Sequence, residues 1–229
     1  MAAPDLSCQA EVRQVRETVM RLYDYWRSSA AYRVRIALNF KGLAYEQVAV
    51  DLRASAQRAP EFLAVNPQGL VPVLEDDGAL LTQSLPILNY LEECYPEPAL
   101  LPKDPPGRAR SRAIAVAIAC EIHPLNNLRV LHYLERELGL DEVLRLAWYR
   151  HWIAEGFGPL EAMLAGAGSF CVGDAPSLAD VCLVPQVYNA RRYECDLAPY
   201  PTIRRIDERC RQIGAFTRAA PERQPDAVS

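Results

Sequence analysis

Two adjacent serines occupy a position at which a chain can bind a small anion. Ser28 and Ser29 follow a short aromatic segment, 21–26, and precede the stretch 29–41, whose apolar residues recur at i,i+4 spacing before Gly42. This pattern predicts a strand, a serine-capped helix and a glycine stop. Hydroxyls and the first free helix amides share one electropositive spot at such a junction. The chemistry predicted is stabilisation of a thiolate, and an ordinary N-cap is the alternative.

The energies fit a thiolate. A thiol with a pKa of ~8.5 is only a few per cent ionised at pH 7, and lowering that pKa by ~2 units requires ~2.7 kcal/mol. A hydroxyl bonded to an anion contributes ~1.5–3 kcal/mol and a helix N-terminus ~0.3–1 kcal/mol. One of the two serines together with the helix therefore suffices without a histidine or lysine.

Two further segments resemble ligand-binding turns. The run NPQGLVPVL at 66–74 places Pro72 at the opening of a strand, which proline enters only at an edge, a bulge or a first position. A cis Val71–Pro72 bond would present the Val71 backbone to a peptide-like ligand, whereas a trans proline would merely blunt an edge strand. Gln83 and Ser84 offer an amide, a hydroxyl and helix amides to a carboxylate, with a plain cap as the alternative.

The intervening elements place these turns together. Strands are predicted at 45–51, 71–74 and 79–82, the last two joined by an Asp-Gly turn, and helices at 58–65 and 84–94. The order is that of a thioredoxin-like domain. The three segments that contain Ser28 and Ser29, Val71 and Pro72, and Gln83 and Ser84 would then lie at one carboxyl edge of the sheet and converge on one ligand.

The second half of the chain differs from the first. Five prolines within 96–107 predict a stiff linker. Beyond it only helical periodicity is present, over roughly 108–138, 141–164, 177–192 and 201–216. We therefore expect an α/β thioredoxin-like N-terminal domain plus an all-α helical C-terminal domain. The expected ranges are a disordered leader at 1–19, the thioredoxin-like domain at 20–95, the linker at 96–107 and the helical domain at 108–229.

Composition excludes several classes of function. A net charge of -4 and a pI of about 5.5 argue against binding to nucleic acid or to an anionic membrane surface. The longest apolar stretch, 113–120, is far shorter than the ~20 residues of a membrane span. The 7 cysteines form no C-x-x-C pair and the 3 histidines are distant from them, so no metal site is expected. An odd cysteine count without a secretory signal predicts a cytoplasmic protein.

Residues 28–38, SSAAYRVRIAL, closely resemble the signature of zeta-class glutathione transferases, Ser-Ser-Cys-x-(Trp/His)-Arg-Val-Arg-Ile-Ala-Leu. Segments 66–72, 83–92, 123–127, 171–174, 183–186 and 196–201 extend the resemblance over about 20–226. Ala30 and Tyr32 depart from the signature. Because Ala30 replaces the cysteine, we expect no protein thiol at the site, so a disulfide-exchange role is disfavoured.

The resemblance implies the glutathione transferase fold, a homodimer, and glutathione as cofactor. It implies that Ser28 and Ser29 hold the glutathione thiolate, that Val71 pairs with the tripeptide backbone, and that Gln83 with Ser84 takes the γ-glutamyl end. The implied cofactor-binding positions are Ser28, Ser29, Ala30, Gln57, Val71, Pro72, Gln83, Ser84, His123 and Asn127.

The resemblance also implies a reaction, the cis–trans isomerisation of a small dicarboxylate such as maleylacetoacetate in aromatic amino-acid breakdown. Arg27, Arg129 and Arg192 are candidates for binding the substrate carboxylates, because a guanidinium pairs with a carboxylate through two hydrogen bonds. Solvated surface arginines are the alternative. Three other functions remain open at this point: a maleylpyruvate isomerase, a transferase or dehalogenase that consumes glutathione on small haloacids, and a non-catalytic transferase-fold module.

Overall fold

The structure is a computed structural model that describes residues 19–228, so the predicted leader lies outside the described residues except for Val19. The first half of the chain alternates strands and helices. Its elements are β1 (Met20–Asp24), α1 (Ser29–Phe40), β2 (Tyr45–Ala49), α2 (Pro60–Val65), β3 (Val73–Asp76), β4 (Ala79–Thr82) and α3 (Ser84–Cys94).

The four strands form one mixed sheet in the order β2-β1-β3-β4. β1 pairs with β2 in parallel, as two strands joined by a helix should. β3 pairs antiparallel with both β1 and β4. The β3–β4 hairpin turns through Asp77 and Gly78, both at positive φ (54° and 79°), which is the conformation that favours an Asp-Gly pair. The predicted hairpin and thioredoxin-like fold are confirmed.

The second half contains helices and turns, without a strand among the described residues, and confirms the predicted all-helical half. Its helices are α4 (Pro105–Val116), α5 (Leu128–Arg136), α6 (Glu142–Met163), α7 (Leu178–Arg192), α8 (Pro201–Cys210) and α9 (Gly214–Ala219). In the described part of the chain, no helix is both long and apolar enough to cross a membrane.

Two predicted helices are wrong in extent. The helix expected over 108–138 is interrupted by a π-helical turn, Ala117–Ile122, and a 3₁₀ turn, His123–Asn126. Pro124 lacks the N–H that an α-helix needs, and Asn127 caps a new helix by accepting the Arg129 N–H at 3.2 Å. The helix expected over 201–216 likewise divides into α8 and α9.

Smaller corrections concern the edges of elements beside the predicted site. The helix expected at 58–65 begins at Pro60, and the strand expected at 71–74 begins at Val73. Pro72 therefore precedes the ladder and removes no strand hydrogen bond. Of the two forms that the sequence left open for its peptide bond with Val71, the structure has the cis form. The N-cap of α3 is Gln83, not Ser84, and it makes no side-chain capping bond.

A buried ion pair fixes the loop that leads into α1. Arg35 and Asp24 are both fully buried, and the guanidinium donates to the two carboxylate oxygens at 2.7 and 2.8 Å. Arg35 also donates to the carbonyl of Trp26 at 2.9 Å and to that of Ala219 at 3.0 Å. Because most of its donors are satisfied, this pair holds the end of β1 against the helical half and so positions the serines that follow.

Candidate functional site

A cleft of about 870 Å³ opens between the sheet and the helical half of the molecule. Every site residue expected from the sequence lines it, including those that are far apart in the chain. They are Arg27, Ser28, Ser29, Ala30, Gln57, Val71, Pro72, Gln83, Ser84, His123, Asn127, Arg129 and Arg192. The fold therefore brings the whole predicted set to one place.

The two serines at the start of α1 both keep a hydroxyl proton available. Ser28 is the N-cap, and its Oγ accepts the Ala31 N–H at 3.2 Å. Ser29 is only 4% exposed, and its Oγ accepts from the side-chain amide of Asn189 at 2.5 Å. Since both oxygens act as acceptors in these bonds, each O–H can be donated to an anion at the helix N-terminus.

Asn189 is a residue that sequence reasoning missed. It lies on α7 and lines the cleft, and its Oδ1 is buried without a partner among residues 19–228. No sequence motif marks it, because its role depends on the packing of α7 against α1.

The turns before β3 and α3 form the other end of the cleft. The Gln83 amide donates to Gln68 Oε1 at 2.8 Å, and Asn66 donates to the Leu70 carbonyl at 2.7 Å, which closes the loop ahead of the cis proline. Ser84 is 6% exposed and accepts from Arg33 at 3.1 Å, so its own proton also stays available. The Oε1 of Gln57 is buried without a partner in the described part of the chain.

Arg33 and His123 form a buried connection beneath these turns. Arg33 is 2% exposed and contacts Nδ1 of His123 at 3.3 Å as well as the Ser84 hydroxyl. Burial, reinforced by the positive charges of Arg33 and Arg129, lowers the pKa of His123 to about 3. His123 is therefore neutral near pH 7.

The charged side chains that line the cleft are basic. Its lining contains no aspartate or glutamate among the described residues, although the chain as a whole has more acidic than basic residues. The basic side chains are Arg27, Arg33, Arg53, Arg58, Arg129, Arg136 and Arg192, with His123 and His132 beside them. Low-dielectric walls that carry one sign of charge concentrate the field, so this cleft attracts ligands with several negative charges.

The three predicted carboxylate ligands differ in their surroundings. Arg27 is half-buried and lies over the Trp26 ring at 4.7 Å, with its Nε buried and unpartnered within residues 19–228. Arg192 is exposed, lies over the Tyr193 ring at 4.6 Å and donates to the Tyr193 hydroxyl at 2.9 Å. Arg129 is exposed on the first turn of α5. Stacking holds Arg27 and Arg192 in place, which is the arrangement that favours binding of a carboxylate.

One expectation about the site is wrong. We expected no protein thiol at the site, because Ala30 replaces the cysteine of the zeta-class signature. The exposed Cys120, on the π-helical turn, nevertheless lines the same cleft. The sequence hid this because Cys120 lies on the far side of the linker from Ala30. In the described residues, no cluster of three or more histidine, cysteine, aspartate or glutamate side chains could hold a metal ion.

Comparison with known proteins identifies the class first. The family profile of the glutathione S-transferase N-terminal domain matches residues 18–93, which contain the whole sheet. The chain belongs to the glutathione transferase family. A probable maleylacetoacetate isomerase from Vibrio cholerae is 53% identical over 209 residues, 90% of this chain and 97% of the relative. A maleylpyruvate isomerase from a Ralstonia species is 50% identical over 212 residues, 91% of this chain and 100% of the relative.

Solved structures refine the assignment. The holo structure of a maleylpyruvate isomerase, a bacterial zeta-class glutathione S-transferase, matches with a TM-score of 0.89 at 49% identity, covering 91% of this chain and 100% of that one. A maleylacetoacetate isomerase from Methylobacterium extorquens, with bound malonate and glutathione, matches with a TM-score of 0.88 at 47% identity, covering 91% and 100%. Within the family, this chain belongs with the zeta-class maleylacetoacetate and maleylpyruvate isomerases.

Proposed function

We propose that this protein is a glutathione-dependent cis–trans isomerase that converts maleylacetoacetate to fumarylacetoacetate. The observation that carries the proposal is the excess of positive charge along the lining of the cleft. Among residues 19–228, the cleft lining has seven arginines and no aspartate or glutamate around a helix N-terminus with two serine hydroxyls. Glutathione and a dicarboxylate both bring negative charge, and a site that binds them together needs such a surplus of cations.

The residues present fit glutathione. The cleft contains buried polar atoms that lack partners within the described chain, at Gln57 Oε1 and Asn189 Oδ1, as expected where a polar ligand completes the site. Ser28 and Ser29 would hold the thiolate, the Val71 backbone the peptide, and Gln83 with Ser84 the γ-glutamyl end. The supporting relative from Methylobacterium binds glutathione together with malonate, itself a dicarboxylate. When bound, glutathione supplies a thiolate that adds to the cis double bond, allows rotation and is expelled.

The chain's own residues contribute binding, orientation and charge. The serine hydroxyls and the amides of α1 lower the thiol pKa by stabilising the anion. Arg27, at the end of the β1–α1 loop, and Arg192, at the end of α7, would hold the substrate carboxylates from the two halves of the molecule. This leaves the central double bond beside the start of α1, which gives the proximity that the addition requires.

A maleylpyruvate isomerase is the second candidate, since a relative of that name is 50% identical to this chain. Initial rates with both cis substrates, measured at one fixed glutathione concentration, separate the two. We expect the larger kcat/KM with maleylacetoacetate; a larger value with maleylpyruvate would replace the proposal with this candidate. A transferase or dehalogenase would instead consume glutathione, and a non-catalytic module would turn over neither substrate.

We further propose that the protein is a cytoplasmic homodimer that acts in the breakdown of aromatic amino acids. Family membership supports the dimer. Sedimentation velocity over a range of protein concentrations tests it: we expect a species of about twice 25.6 kDa. A fully active monomer at every concentration would contradict the dimer.

A further inference from the structure

Arg33 is a buried cation for which residues 19–228 provide no carboxylate partner. Its side chain is 2% exposed, its hydrogen bonds go to a serine and a histidine, and its Nε is buried without any partner among those residues. Burial also lowers its pKa. An uncompensated buried charge is costly to the folded state, in contrast with the neighbouring Arg35, which has Asp24. Such a residue needs an explanation beyond packing.

The contact between Arg33 and His123 determines where the histidine proton lies. A guanidinium can only donate hydrogen bonds, so Nδ1 of His123, at 3.3 Å from Arg33, must be the acceptor. In a neutral imidazole the proton is then on Nε2. The charged groups that face this ring are Arg33 from α1 and Arg129 from α5, and both disfavour a second proton.

The neighbouring amide of Asn127 is fixed as well. Its Oδ1 accepts the Arg129 N–H at the start of α5, so its Nδ2 is left facing Nε2 of His123 at 3.5 Å. Two N–H groups cannot bond to each other. Both residues line the cleft, and donors this close together can share one oxygen of a ligand.

We propose that Arg33 is a positioning residue that fixes His123 as an Nε2–H donor. His123 and Asn127 are already implied by the family resemblance to bind the cofactor, and the fixed tautomer lets the ring join the Asn127 amide in donating to one anionic oxygen of the ligand. That oxygen is either a carboxylate oxygen of glutathione or the substrate oxygen on which charge develops during the reaction. The tautomer of His123 follows from the structure alone, and the inference rests on the proposed function only where it names glutathione or the substrate as the source of the oxygen. Neutral donors fixed in advance suit this task, because they neither titrate near pH 7 nor reorganise.

The tautomer is tested directly by ¹⁵N NMR of histidine-labelled, ligand-free protein, which requires no turnover. We expect the His123 ring to carry its proton on Nε2 and to remain neutral down to about pH 4. Arg33→Lys, which keeps a donor, should preserve this state. Arg33→Met removes both the fixed donor and one of the two charges, so the Nδ1–H tautomer should become populated and the pKa of the ring should rise above that of wild type, while burial and Arg129 still keep it below the free value. If Arg33→Met fails to fold, the wild-type spectrum decides alone. An Nδ1–H tautomer or an imidazolium at pH 7 would overturn the proposal.

The donor pair is tested with His123→Ala and Asn127→Ala. If the oxygen belongs to the substrate, kcat should fall ~10²-fold while the Kd of glutathione, measured by calorimetry, is unchanged. If it belongs to glutathione, that Kd should rise about tenfold or more, as for loss of a charge-assisted hydrogen bond. His123→Gln, which keeps a donor, should recover part of the loss. His151→Gln, at an exposed histidine outside the cleft, is the control. Less than a twofold change in both quantities for both alanine variants would overturn the pair.

Discussion

The side-chain amide of Asn189 donates to the hydroxyl oxygen of Ser29 at 2.5 Å, although 160 positions separate the two residues. The bond joins α7 of the helical half to the first residue of α1. It also uses an acceptor position of the serine, which directs the serine proton elsewhere. In the proposed mechanism the helical half would therefore contribute to the thiolate site as well as to the binding of substrate.

The serines themselves are the first test. Replacing Ser28 or Ser29 with alanine removes a hydroxyl bond to the thiolate, so the pKa of bound glutathione should rise by ~1–2 units. Ultraviolet titration of thiolate absorbance in the complex measures it, with the exposed Ser169→Ala as control. An unchanged pKa in both single variants and in the double variant would remove the serines from the mechanism.

Asn189 should act through Ser29. We expect Asn189→Leu to raise the pKa of the bound thiol in the wild-type background and to have almost no further effect in a Ser29→Ala background. Residues that share one hydrogen bond give such non-additive effects, whereas independent sites add. The same ultraviolet titration on the four proteins gives the answer. Fully additive shifts would mean that Asn189 does not work through the serine.

The arginines should distinguish a dicarboxylate from a neutral substrate. Arg27→Met and Arg192→Met should each lower kcat/KM for maleylacetoacetate by a factor that corresponds to a loss of ~2–3 kcal/mol in transition-state stabilisation. The kcat/KM for conjugation of a neutral electrophile should change little. Arg192 is also exposed, but the ring and hydroxyl of Tyr193 hold its guanidinium over the cleft. Replacement of the exposed Arg129 should cost less, ~0–1 kcal/mol, if it stays in solvent. Arg112→Met, outside the cleft, is the matched control. Equal small losses on both substrates for all variants would refute the carboxylate assignment.

His123 should make the protein sensitive to acid. Its folded pKa of about 3 lies below the unfolded value of ~6.5, so the unfolded chain binds the proton more tightly. The stability that this difference contributes is complete above ~6.5 and is lost as the pH falls toward 3. Between pH 7 and 5 the free energy of unfolding of wild type should drop by ~1–2 kcal/mol more than that of His123→Gln, after allowance for partial exposure. Urea titrations at one protein concentration measure it; parallel losses would contradict the low pKa.

Local rules predicted much of the fold. The Asp-Gly turn, the serine cap of α1 and the order of strands and helices along the chain follow from short-range patterns, and resemblance placed the cleft residues. The pattern around Pro72 raised a cis bond only as one of two alternatives. What the sequence could not show depends on tertiary packing. Asn189 approaches Ser29 only once α7 packs on α1, and Cys120 reaches the cleft only through the π-helical turn. The interruption of the helix expected over 108–138 was missed because the apolar periodicity continues through Pro124.

The fate of glutathione during turnover is the most direct test of the central claim. Purified protein with maleylacetoacetate in a large excess over glutathione should convert all the substrate to the trans isomer. Thiol content, followed with a disulfide reagent, should stay constant through many turnovers, because the thiolate is returned in each cycle. Loss of one thiol for each substrate molecule consumed, or no trans product at all, would contradict the assignment as a glutathione-dependent isomerase.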